Sequence, residues 1–568
     1  MEPTRTRSVS PGPILNFYPD SMGGTLSDIV RFLQAPAVRG AFSSAYILPS
    51  LFNTDLDRGF SVIDYGLNAL YASRNDLDAL GDLGVGLKLD FILNHASVLS
   101  PQFQDILKRG DASPYRDFFI DWNRFWEGHG PMTAEGYIQP DEAELKDMLF
   151  RKPGLPILMV RLPDGRSVPY WNSFYQEVRY PRPDAQDIMR VSSLQYASAD
   201  LLAARIRGAL DAGQKPAEID FSGFEPARHA VTEWLEAGRK YLGQLDLNIR
   251  SPEVWAFYEQ TLQTLAGYGA EIVRLDAFAY APKAPGRRNF LNVPETWELL
   301  DKVHTLAGEQ GLTLLPEIHA SYAEKTYETL AAQGYLCYDF FLPGLVLDAL
   351  EHRDGSYLAA WAKEQTEKGI RTVNMLGCHD GIPLLDLKGF LPEERIEALI
   401  RTVVSRGGMV KDLHGQKNVY YQVNATYFSA LGEEEKKLLL ARALQLFMPG
   451  KPQVWYLDLF AGKNDAEAVK RGGAAGHKEI NRTNLKAAQV EEALRKPVVR
   501  DQLDLLRLRS ACPAFGFDAE LTVEQPSRHR LTLQWTNHGS RAALYADLKS
   551  IAFRVEAEVG GVPMVFER

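Results

Sequence analysis

EIVRLDAFAY, residues 271–280, is an apolar run that ends in a polar and aromatic cluster around Asp276. Short apolar runs bounded by polar or turn residues are typical of buried β-strands. Arg274 precedes Asp276 by two residues, so the two side chains share one face of such a strand. Similar runs recur along the chain: ILNFYPD (14–20), SAYILPS (44–50), LKLDFILNH (87–95), LTLLPEIHA (312–320), VNMLGCHD (373–380), PQVWYLD (452–458) and, more weakly, LCYDFFLP (336–343).

Amphipathic helical patterns separate most of these runs. The segment 252–268, for example, has Trp255, Tyr258, Leu262 and Leu265 on one stripe, as a helix with one buried face requires. Repeated strand–helix units predict an α/β fold, the (β/α)8 TIM barrel. Catalytic groups of that fold lie at the carboxyl ends of the strands, which is where the polar residues of these runs fall.

The succession of strand–helix units is interrupted twice. We expect barrel segments at 1–95, 249–380 and 431–511, an inserted domain B at 96–248, and an inserted loop domain at 381–430. Within domain B, the composition of residues 191–241 favours an extra insertion of one or two amphipathic helices. The alternating segments RLTLQWT, AALYADL and FRVEAEV predict a small antiparallel β domain at 512–568.

The composition is that of a large globular chain. Its 568 residues are 45% apolar, and 63 basic against 73 acidic side chains are interspersed along it. This pattern argues against a nucleic-acid partner. No apolar run approaches the roughly 20 residues of a membrane span, and the first residues, MEPTRTRSVSPG, have no hydrophobic signal core. We therefore expect a cytoplasmic protein with no membrane partner, and a homodimer is left open.

The three cysteines, Cys337, Cys378 and Cys512, are far apart and form no CxxC pair. Such spacing does not favour a metal or redox site, so structural thiols are expected. Because Cys378 is close to the predicted site, a reactive role for it is the alternative.

Three of the strand ends carry an acidic residue: Asp276, Glu317 and Asp380. A single acidic residue at a strand end is more often a helix cap or an ion-pair member. Three around one barrel mouth indicate glycoside chemistry, in which one carboxylate attacks the anomeric carbon and a carboxylic acid protonates the leaving oxygen. Arg274 would keep a neighbouring carboxylate ionised, and His95 is able to hydrogen-bond a sugar hydroxyl.

The segments DFILNH, IVRLDAFAY, LLPEIHA and MLGCHD resemble, in the right order, the four signature segments of glycoside hydrolase family 13, the α-amylase superfamily. The resemblance implies that Asp276 is the nucleophile, Glu317 the general acid/base and Asp380 the carboxylate that stabilises the transition state. It also implies substrate-binding roles for Arg274, His95, His319 and His379.

Within that family the chain is similar to the sucrose phosphorylase subfamily over nearly its whole length. The segments that carry the similarity are YILPSLFNTDLDRGFSVIDY, RKPGLP, YYQVNATYFSAL, FMPGKPQVWYLDLFAGKNDAEAV and EINR. This resemblance implies that Asp57 and Arg482 pair and clamp the far hydroxyls of a glucosyl ring, with Phe60 and Phe174 as apolar walls. The alternative for the two phenylalanines is an ordinary place in the core.

The same resemblance implies phosphate contacts from Tyr280, Tyr421, Gln422 and one cation of RKPGLP, either Arg151 or Lys152. Charge-assisted hydrogen bonds from such groups would hold the phosphate oxygens. Two stretches depart from the subfamily: APGRRNF at 284–290, and the insertion between Phe174 and Gln244.

The sequence therefore predicts a retaining α-glucoside phosphorylase that forms α-glucose 1-phosphate from an α-glucoside and inorganic phosphate through a β-glucosyl-enzyme, with neither metal nor organic cofactor. A hydrolase or transglucosidase with the same carboxylates is the alternative. A catalytically silent binding protein is disfavoured, because it has no physical need for three like charges. The acceptor is left open among fructose, fructose 6-phosphate, glycerol and glycerate.

The segment GGMVKDLHGQKNVYYQ (407–422) bears on the choice of acceptor. Its Lys411, His414 and Lys417 are candidates to receive a phosphorylated or carboxylated acceptor. The alternative is a solvated polar loop.

Overall fold

The computed structural model describes residues 9–150, 154–412 and 420–568, and only the backbone of residues 411, 412, 420, 421 and 473–475. Its main sheet is made of eight parallel strands: Ile14–Phe17, Ser44–Ile47, Gly86–Ile92, Ala270–Asp276, Thr313–Pro316, Cys337–Asp339, Thr372–Met375 and Lys451–Trp455. Numbered along the chain, they are hydrogen-bonded in the order 5-4-3-2-1-8-7-6. Each predicted run, including the weak one, overlaps one of these strands, and the barrel prediction is confirmed.

Helices alternate with these strands along the chain. The predicted helix at 252–268 is observed as Pro252–Gly267, with Val254, Tyr258, Leu262 and Leu265 buried. It begins at a proline, whose missing N–H costs nothing in the first helical turn. The other helices between barrel strands, and after the last of them, include Leu26–Gln34, Arg74–Asp82, Glu295–Glu309, Thr326–Ala332, Leu342–His352, Ser356–Glu367, Glu435–Phe447, Tyr456–Leu459, Ala466–Arg471, Ala487–Ala493 and Pro497–Ala511.

The long segment between the third and fourth barrel strands holds two small sheets and several helices. Its strands are His95–Ser97, Ile157–Arg161, Ser167–Trp171, Gln176–Arg179 and Lys240–Asp246, and its helices are Pro101–Arg109, Trp122–Phe125, Glu142–Leu145, Ala185–Val191, Tyr196–Asp211 and Arg228–Ala237. The last three helices enclose a core of their own that includes Ile188, Leu202, Ile206 and Leu235.

The helical insertion differs from the prediction in two respects. It contains three α-helices between residues 185 and 237, rather than one or two, and it begins at Ala185 rather than near residue 191. The earlier start has a local cause, because the side chain of Asp184 accepts a hydrogen bond from the Asp187 backbone N–H at 2.8 Å and caps the first helix.

The segment after the seventh barrel strand contains the helices Glu393–Ser405 and Tyr427–Ala430 and an antiparallel pair, Met409–Asp412 with Tyr420–Asn424. The chain then ends in a five-stranded antiparallel sheet, as predicted, formed by Glu520–Ser527, Arg530–Asn537, Ser540–Asp547, Ala552–Val559 and Val562–Glu567. Trp535 of this sheet donates its indole N–H to the carbonyl of Phe447 at 2.8 Å, which ties the sheet to a barrel helix.

Two findings concern the whole of the described chain. Among its helices, none combines the length and the apolar character that a membrane crossing requires. Its three cysteines are buried free thiols. Burial raises the pKa of Cys378 to about 11, which does not favour a nucleophilic thiolate there.

Candidate active site

A pocket opens at the carboxyl ends of the barrel strands. The fourth strand ends at Asp276, Glu317 directly follows the fifth, and Asp380 lies five residues beyond the seventh. Parallel strands that share a barrel bring their carboxyl ends to one rim. The pocket is lined by Tyr46, Arg274, Glu317, His319, Tyr338, Phe340, Met375, Cys378, His379, Asp380, Gly381, Pro383, Gln422 and Gln453.

Arg274 links the acidic residues of three adjacent strands. Its Nη1 donates to Asp276 Oδ1 at 2.8 Å and to Asp90 Oδ1 at 2.6 Å, and its Nη2 lies 2.5 Å from Glu317 Oε1. Strand register explains the geometry, since Arg274 is directly opposite Asp90 on the third strand and Leu315, two residues before Glu317, on the fifth. One fixed cation therefore holds the predicted nucleophile and the predicted acid/base.

The pKa values of the Asp276 and Glu317 carboxyl groups depend on burial and on the charges around them. Burial raises the pKa of Asp276 well above its ordinary range, and the charge of Arg274 opposes this shift while Glu317 adds to it. Burial also acts to raise the pKa of Glu317, but Arg274 and His319 outweigh it and lower that pKa below its ordinary range.

Asp380 is surrounded by cationic and imidazole groups. His379 Nε2 lies 3.1 Å from its Oδ2, and Lys478 Nζ and Arg482 Nη2 lie 3.2 and 3.5 Å from its Oδ1. Burial opposes ionisation, yet His379, Lys478 and Arg482 hold the pKa of this carboxyl well below its ordinary value. These contacts favour the ionised form of Asp380, which is the form that can stabilise developing positive charge.

Asp57 and Arg482, which were predicted to pair with each other, form their ion pairs with other residues. Within the described residues, the ion pairs of Arg482 are to Asp380 and Glu479, whereas Asp57 has its ion pair with Lys478 at 4.0 Å. Asp57 belongs to a strained turn, because it has a φ of 52° and Arg58 a φ of 47°, values that non-glycine residues seldom adopt. Such strain is common where a loop is shaped for a ligand.

An aromatic wall runs from His379 to Tyr280. Phe60 stacks on His379 with ring centroids 5.1 Å apart, and the Phe174 ring lies 5.0 Å from His95 and 5.3 Å from Tyr280. Phe60 is buried and Phe174 half-buried. The backbone carbonyl of Phe60 is 3.1 Å from His95 Nε2. The structure thus brings these five predicted residues together.

The predicted phosphate contacts are less completely described. Gln422 lines the pocket, with its Nε2 3.5 Å from His319 Nε2. Tyr421 lies in the strand Tyr420–Asn424, of which its backbone alone is described. Arg151 and Lys152, like His414 and Lys417, lie outside the described residues.

No protein-family model matches this sequence. The chain is 50% identical over 557 residues to the sucrose 6(F)-phosphate phosphorylase of Ilumatobacter coccineus, covering 96% of both chains. The chain belongs to the sucrose phosphorylase subfamily of glycoside hydrolase family 13. It is also 28% identical to the sucrose phosphorylase of Streptococcus mutans, over 96% of this chain and 98% of that protein.

A solved structure agrees with this assignment. The crystal structure of the sucrose 6F-phosphate phosphorylase from Thermoanaerobacter thermosaccharolyticum matches with a TM-score of 0.80 and 28% identity, over 99% of this chain and 98% of that one. The family resemblance found in the sequence is confirmed. The chain is accordingly an enzyme, a glycosyltransferase that acts by phosphorolysis.

Three charged residues of the site were missed by sequence reasoning: Asp90, Asp386 and Lys478. Asp90 begins the quoted segment DFILNH. An acidic residue inside a predicted strand is a signal that could have identified it. Lys478 directly precedes the quoted segment EINR, but nothing in its sequence surroundings indicates a contact with Asp380. Within the described ranges, no group of three or more His, Cys, Asp or Glu side chains is arranged to hold a metal ion.

Replacing Lys478 by glutamine is expected to lower kcat/KM about tenfold, the effect of one partly solvated charge-assisted hydrogen bond. The physical reason is its 3.2 Å contact with Asp380 and its position beside Asp57. Steady-state kinetics of the variant would measure the change. Lys470→Gln is the matched control, because Lys470 pairs only with Glu467 on an exposed helix. Equal kinetics in both variants would show that Lys478 plays no part in the site.

Proposed function

We propose that this enzyme catalyses the reversible phosphorolysis of sucrose 6(F)-phosphate, giving α-glucose 1-phosphate and fructose 6-phosphate with net retention at the anomeric carbon. The observation that carries the proposal is the 50% identity over 96% of the chain to an enzyme of that name. The Arg274-centred group of Asp276, Glu317 and Asp90 supports the chemistry.

In the first half-reaction Asp276 attacks the anomeric carbon while Glu317 protonates the leaving oxygen, and a β-glucosyl-enzyme forms. Attack requires the proton on Glu317, whereas the contact with Arg274 Nη2 favours the carboxylate there. We propose that the glycosidic oxygen takes the place of Arg274 at Glu317, which lets the pKa of Glu317 rise. Arg274 then remains on Asp276, where its charge opposes the effect of burial and favours the ionised nucleophile.

The glucosyl unit would be held by the residues around Asp380. Asp57 and Arg482 are proposed to bind the far hydroxyls, with Lys478 in contact with Asp57 and Asp380. His95, His379, Phe60 and Phe174 are proposed to form the walls of the subsite. Asp380, held as an anion by three neighbours, would stabilise the oxocarbenium-like transition state.

In the second half-reaction phosphate takes the glucosyl group. We propose that Tyr280, Tyr421, Gln422 and one of Arg151 and Lys152 hold that phosphate through charge-assisted hydrogen bonds. Lys411, His414 and Lys417 are proposed to hold the phosphoryl group of the fructosyl acceptor. The support is the composition of the segments RKPGLP and GGMVKDLHGQKNVYYQ and, for Gln422, a place in the pocket wall.

A phosphorolysis panel tests the proposal. We expect glucose 1-phosphate from sucrose 6(F)-phosphate only when inorganic phosphate is present, with only traces of free glucose. The value of kcat/KM should exceed that for sucrose by about tenfold to a hundredfold or more, since each charge-assisted bond to the phosphoryl group contributes about 1.5–3 kcal/mol. Glucosylglycerol and glucosylglycerate complete the panel.

The alternatives give different products in the same panel. Free glucose formed at the same rate with and without phosphate would indicate a hydrolase. If glucose 1-phosphate forms fastest from sucrose, glucosylglycerol or glucosylglycerate, the enzyme is still a phosphorylase, but its acceptor is not fructose 6-phosphate. Asp276→Asn enzyme from the same purification controls for contaminating activity.

A further inference from the structure

His319 is held between an aspartate and the acid/base. Its Nδ1 lies 3.0 Å from Asp386 Oδ2, and its Nε2 lies 3.7 Å from Glu317 Oε1. Both side chains of the His319–Asp386 pair are more than nine-tenths buried. The His319 ring stacks on Phe340 with centroids 3.9 Å apart, so an imidazolium here would also rest on an aromatic face. The pair therefore faces the pocket through Nε2 of His319.

The segment that carries Asp386 is anchored to the loop after His319. The backbone N–H of Ala323 donates to the carbonyl of Lys388 at 3.1 Å. Gly389 has a φ of 86°, and a Cβ there would come within 2.7 Å of the Ala323 Cβ. The two backbones thus approach closely only because residue 389 is a glycine. This packing fixes Asp386 behind the imidazole.

Other charges face the pair. Glu317 also pairs with Arg274. The charge of Asp380 acts to raise the pKa of Glu317, and the charge of Glu324 acts to raise the pKa of Asp386. Gln422 adds a neutral contact 3.5 Å from Nε2. Burial alone would lower the pKa of His319, but Asp386 and Glu317 outweigh it and raise that pKa to about 9.

We infer that Asp386 is a positioning residue that holds His319 as a cation beside Glu317 for the step in which phosphate replaces the enzyme at the anomeric carbon. The inference rests on the proposed function. In that step a phosphate oxygen forms a bond to the anomeric carbon, the ester bond to Asp276 breaks, and its electron pair returns to the Asp276 carboxylate. Glu317 is a carboxylate at this point, because its proton left with the acceptor.

An anionic Glu317 repels the incoming phosphate unless a nearby cation compensates its charge. His319 supplies that charge from Nε2, which lies 3.7 Å from Glu317 Oε1. Water, the competing acceptor, is uncharged and gains much less from the imidazolium. Asp386 therefore favours phosphorolysis over hydrolysis through its hold on His319.

The test compares Asp386→Asn with the wild type from pH 5.5 to 9. The asparagine removes the charge that sustains the imidazolium, so the pKa of His319 should fall toward the ordinary histidine value of about 6.5. The ratio of variant to wild-type kcat/KM for phosphate should be near one at pH 5.5 and fall about tenfold above pH 8. Taking the ratio cancels the ionisation of phosphate itself.

Three further measurements separate positioning from simple damage. Hydrolysis of α-glucosyl fluoride without phosphate should change less than threefold, and Asp386→Glu should restore most of the lost phosphate use. Asp348→Asn is the matched control, because Asp348 is a buried aspartate outside the pocket lining. It pairs with His352 at 3.0 Å and with Arg395 at 2.8 Å. That variant should show a ratio independent of pH.

A flat ratio in Asp386→Asn, or an equal loss with phosphate and with the fluoride, would overturn the inference while leaving the proposed function intact. Failure of the wild type to form glucose 1-phosphate from any substrate of the panel would overturn the proposed function first, and the inference with it.

Discussion

Asp276→Asn enzyme is expected to have no measurable turnover on any glycoside, with kcat below about a thousandth of the wild-type value. An amide can neither attack the anomeric carbon nor form the covalent ester. The substitution is isosteric and leaves the hydrogen-bond acceptor for Arg274 Nη1 in place. Rate assays should therefore report lost chemistry rather than a lost fold.

Intact-mass measurement of acid-quenched enzyme makes the assignment specific. Wild-type enzyme mixed with α-glucosyl fluoride in the absence of phosphate should carry one added glucosyl group, and the variant should carry none. The buried-aspartate control Asp348→Asn should retain both the adduct and the activity. Residual turnover above a thousandth of wild type, or an adduct on the variant, would contradict the role of Asp276.

Glu317→Gln is expected to lower kcat on natural glycosides by about a hundredfold to ten-thousandfold, the usual contribution of a general acid. The loss on α-glucosyl fluoride should stay below about tenfold, because fluoride leaves without protonation. Glutamine also removes the charge that lies 2.5 Å from Arg274 and 3.7 Å from His319. Comparing the two substrates under identical conditions checks the assignment.

The pH dependence of the same variant offers a second check. The wild-type pH–rate profile on natural glycosides should have a limb that reports the ionisation of the acid/base. This limb should be absent from the profile of Glu317→Gln. Equal losses on the fluoride and on sucrose 6(F)-phosphate would remove Glu317 from the acid/base role. His319→Gln serves as a neighbour control, since it alters the surroundings of Glu317 but leaves its carboxyl group in place.

The barrel was open to prediction because each of its strands is a short apolar run with a polar end. Even LCYDFFLP, the weakest run, contains the strand Cys337–Asp339. The helical insertion was only partly predicted. Its three α-helices bury a core to which all of them contribute, so composition and periodicity did not resolve their number or their first residue.

The candidate site shows the same division between local and long-range information. Arg274 and Asp276 share a strand, and their contact followed from a spacing of two residues. Lys478 contacts Asp380, and Asp386 contacts His319, across long separations in sequence. No local pattern reports which distant partner a charged side chain will meet.

The sequence by itself determined the barrel, the family and the identity of the three strand-end carboxylates, because strand periodicity and signature segments are local properties of a chain. Only the tertiary structure decided that Arg274 touches both Asp276 and Glu317, that Lys478 lies between Asp57 and Asp380, and that Asp386 stands behind His319. These contacts depend on strand register and loop packing, and their electrostatic consequences depend on burial. Both arise only when remote segments fold against one another.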